Sequence, residues 1–207
     1  MYAEVSQIRT QHALHLAGNA TAVINADLYS TDAYVASVIE KSNLTVRGNL
    51  NLTGIKQGYG VFGLWIIDNS TVTVNGNITG ELKGTEGGKG GSVIGAQVHN
   101  SYLTVNGNVS VDGNGIEANN SQVVVNGNID SGAIGILADR NAEVTVNGIL
   151  TLRDATFSYA IIGDIIGKNA FFITEPIDQS NLSKPGYLGY IYRKLRTVKG
   201  LVKTGLY

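Results

Sequence analysis

Apolar and polar residues alternate with a period of two through short runs along most of the chain. The clearest run is Asn100-Ser101-Tyr102-Leu103-Thr104-Val105-Asn106-Gly107-Asn108-Val109. The same phrase returns from Asn69 to Ile78 and from Asn120 to Ile129, and in weaker form from Lys41 to Leu50 and from Asn141 to Leu150. Leu14-His15-Leu16-Ala17-Gly18-Asn19 reads as a degenerate sixth copy. Alternation of Val, Leu and Thr at this period marks a strand with one buried face. Leu44, Val46, Val72, Val74, Leu103, Val105, Val123, Val125, Val144 and Val146 are therefore expected inside, with Thr45, Thr73, Thr104 and Thr145 outside. Each strand stops at Asn-Gly, where left-handed backbone angles are expected.

A second short strand precedes each phrase, as in Val35 to Ile39, Gly63 to Ile67 and Val93 to Val98. A third follows it, as in Asn49 to Leu52 and Asn108 to Val111. The anchoring glycines Gly18, Gly48, Gly76, Gly107, Gly127 and Gly148 are spaced 30, 28, 31, 20 and 21 residues apart. A fixed phrase at that spacing predicts a stacked repeat in which each unit packs only on its neighbours. Three strands per coil predict an all-β fold, a right-handed single-stranded parallel β-helix (β-solenoid) of about six coils with a C-terminal extension. The stretch Gly115-Ile116-Glu117-Ala118-Asn119-Asn120-Ser121-Gln122-Val123-Val124-Val125-Asn126-Gly127-Asn128-Ile129 resembles the repeats of the pectate-lyase-like β-helix superfamily. Its nearest likeness is to the repeats of surface adhesins and autotransporter passenger domains. The resemblance covers about residues 3 to 154. That superfold carries lyases, hydrolases, tailspikes and non-catalytic surface proteins alike, so it implies a fold more than an activity.

Three stretches follow from the pattern. Residues 1–154 carry the β-helix repeats, with Val5-Ser6-Gln7-Ile8 matching the strand that precedes a phrase. Lys83 to Gly91 is a glycine-rich loop that lacks the Gly-Lys-Ser/Thr ending and following helix of a phosphate cradle. Residues 155–178 read as an irregular final coil, with strand-like runs at Phe157 to Ile162 and Ala170 to Ile173. Residues 179–207 form a basic, tyrosine-rich tail. Charge divides at this boundary. Residues 1–178 hold 16 acids and 9 bases, a net of −7, and residues 179–207 hold 6 bases and no acid, a net of +6.

The chain has no cysteine, which removes disulfides and thiolate metal sites. No apolar run reaches the ~20 residues of a membrane span, so no membrane insertion is expected. Low charge with abundant Gly, Asn and Thr suits an extracellular or cell-surface solenoid. Met1-Tyr2-Ala3-Glu4 does not read as a signal peptide, so secretion would require prior trimming. His12 and His15 fall in a different coil from His99, which leaves no histidine metal set, and no cofactor is expected. The acidic body opposes nucleic-acid binding by the basic tail.

Stacking turns sequence columns into surface rows. Counting eight residues back from the anchoring glycines gives Glu40, Asp68, His99, Asn119 and Arg140. Glu40 and Asp68 on adjacent coils would stand at the roughly 5 Å separation of a retaining glycosidase pair, with His99 as a proton carrier. A solvated turn explains the same polar residues more simply. The alternating Thr column has strand propensity and stacks well, which outweighs an ice-ordering role. The Asn75, Asn106, Asn126 and Asn147 column is expected to be a structural amide ladder.

The sequence therefore points to a non-enzymatic extracellular structural protein, adhesin-like or self-assembling into a filament, with glycans or a cell surface as partner. A carbohydrate-active lyase or hydrolase is the alternative. An uncapped first coil, with Val5 and Ile8, and the basic tail, with Tyr187, Tyr190, Tyr192, Arg193, Lys194, Arg196, Lys199 and Lys203, are the expected head-to-tail assembly surfaces.

Overall fold

The computed structural model describes residues 12–54, 61–83, 93–139, 142–152, 159–162, 166–167, 171–174 and 197–198. Three parallel sheets run along the stack, each taking one strand from each coil. The first contains His12–Leu16, Tyr34–Val38, Val61–Ile66, Val93–His99, Asn114–Asn119, Ile134–Asp139 and Tyr159–Ile162. The second is built from the phrase strands Thr21–Ile24, Asn43–Val46, Thr71–Val74, Tyr102–Val105, Gln122–Val125 and Glu143–Val146. The third contains Leu28–Thr31, Leu50–Gly54, Ile78–Leu82, Val109–Val111, Ile129–Ser131, Ile149–Leu152 and Phe171–Thr174. Strands neighbour one another in coil order, as a parallel β-helix requires.

The core is a set of columns. Leu44, Val72, Leu103, Val123 and Val144 stand in direct register across five coils, and Val46, Val74, Val105, Val125 and Val146 form the next column. All ten are buried, whereas Thr45, Thr73, Thr104 and Thr145 alternate outward, half-exposed. A one-residue slip would turn each apolar column to water, so alternation alone fixes the register.

Two polar ladders, one largely buried and one largely exposed, satisfy the backbone where the coil turns a corner. On entry to each phrase, the N–H groups of Ala20, Ser42, Ser70 and Ser101 donate to Oγ of Ser42, Ser70, Ser101 and Ser121, at 3.1–3.2 Å. After each phrase, the N–H groups of Asn77, Asn108, Asn128 and Ile149 donate to Oδ1 of Asn49, Asn77, Asn108 and Asn128, each at 2.8 Å. The Ser of Asn-Ser thus accepts from the preceding coil, as buried amide groups demand, and the second Asn of Asn-Gly-Asn accepts from the next coil at the surface.

Three expectations need correction. The first is the sixth copy of the phrase. Leu14 to Leu16 of the degenerate copy lies in the first sheet, paired with Tyr34–Val38. The phrase strand of that coil is Thr21–Ile24, paired with Asn43–Val46 at a spacing of 22 residues. Gly18 is therefore not an anchor. Val5 to Ile8 lies outside the described residues, and His12–Leu16 holds the preceding-strand position of this coil.

The second correction concerns backbone angles. The asparagines of Asn-Gly are not left-handed; Asp32 is left-handed between Thr31 and Tyr34, and Asn19, Glu40, Lys41, Asp68, Asn69, Asn100 and Asn120 are left-handed at the opposite corner, on entry to the phrase strand. Asn there is the side chain that best tolerates the conformation. Lys41, at φ 61°, is a poor occupant. Lys41→Gly should raise stability by about 0.5–1 kcal/mol in urea unfolding, left-handed relief outweighing added chain entropy.

The third correction concerns the acidic row. The corner between the first and second sheets takes one residue fewer in the fourth and fifth coils. Ile66 is in register with Val98, yet Thr71 is in register with Tyr102. The register Ala36↔Leu64 and Val38↔Ile66, continued into the corner, sets Glu40 beside Asp68. The same continuation sets His99 beside Ile67, one position out of the row.

Candidate functional site

The outer face of the first sheet is the chemically richest surface of the described residues. Trp65, Gln97 and Glu117 share one outward column, each flanked by buried residues of its own strand. Tyr34 and Phe62 lie in another, their rings stacked at 4.9 Å between centroids and 6° between planes. Trp65 leans on Tyr34 at 5.6 Å and 36°. All three aromatics are half-buried, which leaves ring edges and faces to solvent. Beyond them the surface turns polar. Gln97 donates through Nε2 to Glu117 Oε2 at 3.1 Å, and Asn114 donates through Nδ2 to Glu117 Oε1 at 2.7 Å. His99 and Asn119 continue this row in register with each other.

The composition of that face arises from the strand pattern itself. Leu64, Ala96 and Ile116 point into the core, so their chain neighbours Trp65, Gln97 and Glu117 must point out. Glycine fills the Gly63, Gly95 and Gly115 column, where neighbouring backbones approach closely. A Cβ on Gly95 would lie 2.5 Å from Gly115 O and 2.9 Å from a Val109 methyl. This close packing holds the outward side chains on a firm support.

Glu40 and Asp68, expected as a carboxylate pair, are both exposed and left-handed, at φ 57° and 59°. Glu40 accepts the Gly18 N–H through Oε2 at 2.9 Å, a turn-fastening role. Asp68 lines an open polar cleft of about 450 Å³ with Asn69, Asn100, Tyr102, Asn120, Gln122 and Glu143. His99 is not among its lining residues. Arg140 lies outside the described residues, as do Val5, Ile8, Tyr187, Tyr190, Tyr192, Arg193, Lys194, Arg196, Lys199 and Lys203. The tail contributes one described pair, Thr197–Val198, which runs parallel to Ile166–Gly167 of the same chain.

No family model matches this chain, and neither a curated protein nor a solved structure matches it significantly. The surface chemistry has therefore to be read from its own geometry. Among the described residues no three His, Cys, Asp or Glu side chains are placed to share a metal ion. The aromatic platform went unread in the sequence, where Phe62 looks like the end of an insertion and Trp65 falls in the strand from Gly63 to Ile67. The signal was a count: Tyr34 and Phe62 each stand nine positions before a phrase strand, at Asn43–Val46 and Thr71–Val74.

The Asn ladder that follows each phrase ends on a charge. At its first rung Asp27 stands in the place of Asn, and Oδ1 accepts the Asn49 N–H at 2.6 Å. That backbone hydrogen bond holds the Asp27 carboxyl below its ordinary value. A depressed carboxyl adds stability that is present above its unfolded pKa of about 3.9 and lost as pH falls through the folded value. Asp27→Asn keeps the acceptor but not the charge, so it should lower neutral stability slightly and flatten the acid limb of the unfolding profile below about pH 4.

Proposed function

We propose that this chain is a non-enzymatic, extracellular, adhesin-like β-helix of the pectate-lyase-like kind, which recognises glycans on the outer face of its first sheet. The observation that carries the reading is the aromatic cluster of Tyr34, Phe62 and Trp65 running directly into the Gln97, Glu117 and Asn114 network. Aromatic faces take the apolar side of a pyranose ring, and an amide–carboxylate network supplies the paired donors and acceptors that vicinal hydroxyls need. Coils rise by about 4.8 Å, comparable to one sugar unit, so a glycan lying along the axis would meet a new row with each residue. Glu40 is occupied by a backbone N–H, which supports a turn role over catalysis.

The Asp68 and Glu143 cleft favours the rival reading of a carbohydrate-active enzyme. One experiment separates the two. Trp65 is the sole tryptophan, so its fluorescence reports one site. Titration with neutral and acidic oligosaccharides should shift Trp65 emission, and Trp65→Ala should weaken binding at least about tenfold, or 1.4 kcal/mol. No shorter saccharides should appear on prolonged incubation. Saccharide release that is lost in Asp68→Asn would establish the enzyme instead, and a silent Trp65 with every glycan class would remove the adhesin reading.

A further inference from the structure

Five Asn-Gly steps occur in the described residues, at Asn75, Asn106, Asn114, Asn126 and Asn147. Asn-Gly is the dipeptide most open to self-modification, because glycine lets its own backbone nitrogen reach the preceding side-chain amide. The fold treats the five unequally. Asn106 Nδ2 donates to Asn75 Oδ1 at 2.8 Å, Asn126 Nδ2 to Asn106 Oδ1 at 2.8 Å, and Asn147 Nδ2 to Asn126 Oδ1 at 2.7 Å. Asn106 and Asn126 are therefore held through both nitrogen and oxygen. Asn114 is also held at both ends, by Glu117 Oε1 at 2.7 Å and by the Ile134 N–H at 3.2 Å. Asn147 has its nitrogen tied and its oxygen at the end of the ladder.

Asn75 is the reverse case. Its oxygen accepts a hydrogen bond, which makes the side-chain carbonyl more electrophilic, while its nitrogen has no acceptor among the described residues. The side chain in register on the preceding coil is Arg47, exposed like Asn75 itself. The backbone does not distinguish the sites in the same way: the N–H groups of Gly76 and Gly127 each donate to the glycine below at 3.2 Å.

We infer that Asn75-Gly76 is a built-in deamidation site, the one Asn-Gly step whose amide is both activated and free to leave. The Gly76 nitrogen loses its proton and bonds to Asn75 Cγ, the Cγ–Nδ2 bond breaks, and ammonia departs. Water then opens the succinimide to aspartate or isoaspartate. No oxidant or cofactor is needed. A carboxylate at position 75 still accepts from Asn106 and gains the Arg47 cation as a column neighbour, so the aspartate product suits the stack. At 106 or 126 a carboxylate would set two acceptors against each other.

The test is peptide mapping of the intact chain aged in mildly alkaline buffer, following the mass change of amide-to-acid conversion at each step. Asn75 should convert at least about fivefold faster than Asn106, Asn114, Asn126 and Asn147. In strong urea the five rates should draw together, since the selection lies in the fold. Equal rates in the folded protein, or faster conversion at any of the other four, would overturn the assignment. So would an Asn75 lead that persists unchanged in urea, because local sequence and not the ladder would then be the cause.

Discussion

Gly107→Ala is expected to cost about 3 kcal/mol, at the upper end of overpacking penalties. The added methyl would lie 2.5 Å from both Gly76 O and Asn77 Oδ1 of the preceding coil. Neither atom can move cheaply. Gly76 is itself a close-approach position, and Asn77 Oδ1 holds the Asn108 N–H at 2.8 Å. Relieving the clash would push adjacent coils apart along the Gly48, Gly76, Gly107, Gly127 and Gly148 column and open the ladder beside it. Chemical denaturation should show the loss as a lower midpoint with little change in slope. A variant as stable as wild type would mean that the coils are not packed at this corner as described.

Leu103→Ala should be comparably severe, at about 3 kcal/mol within the usual range of 2–5. Leu103 is 1 % exposed and sits between Val72 and Val123 in register above and below. Neighbours pinned by their own strand hydrogen bonds cannot close on the cavity, so both the transfer and the cavity contributions are lost. Thr104→Ala, one residue along on the outer face, should change stability by less than about 0.5 kcal/mol. The contrast between adjacent positions tests inward and outward alternation in one measurement series.

How far the fold could be read from residues depends on what repeats. Period-two alternation in Leu103 and Val105 or Val72 and Val74 decides which face is buried, and that pattern survives any insertion between coils. The Asn and Gly of the phrase were also legible as a ladder, although for the wrong backbone reason. Gly107 is required by the approach of the coil beneath it and not by a left-handed angle. The Asn of Asn-Ser is left-handed instead, as in Asn69, Asn100 and Asn120. Counting across a corner is where the reading failed. The corner before Tyr102 is one residue shorter than the corner before Thr71, so a fixed offset from glycine moved His99 into a row it does not occupy. Gly18 misled for a related reason: the first coil places Ala26 and Asp27 where the others have Gly and Asn, so the nearest glycine belonged to another turn. The aromatic surface was hidden because its members come from two different repeat positions in two coils, and only register brings Tyr34 onto Phe62 and Trp65.

Every column described above, including the glycan-facing row and the Asn ladder, depends on neighbouring coils lying parallel and in register. Thr73 and Thr104 are direct partners across two coils, 31 residues apart in sequence and facing outward. The chain contains no cysteine, so a Thr73→Cys, Thr104→Cys double variant offers one thiol pair and no competitor. Adjacent strands about 4.8 Å apart place such a pair within disulfide reach. Mild oxidation should close the bond within single molecules, in high yield and without loss of structure. If instead Thr73→Cys links to a cysteine at Ile78, as a hairpin closed at Asn75-Gly76 would allow, and not to one at position 104, the parallel stack is wrong.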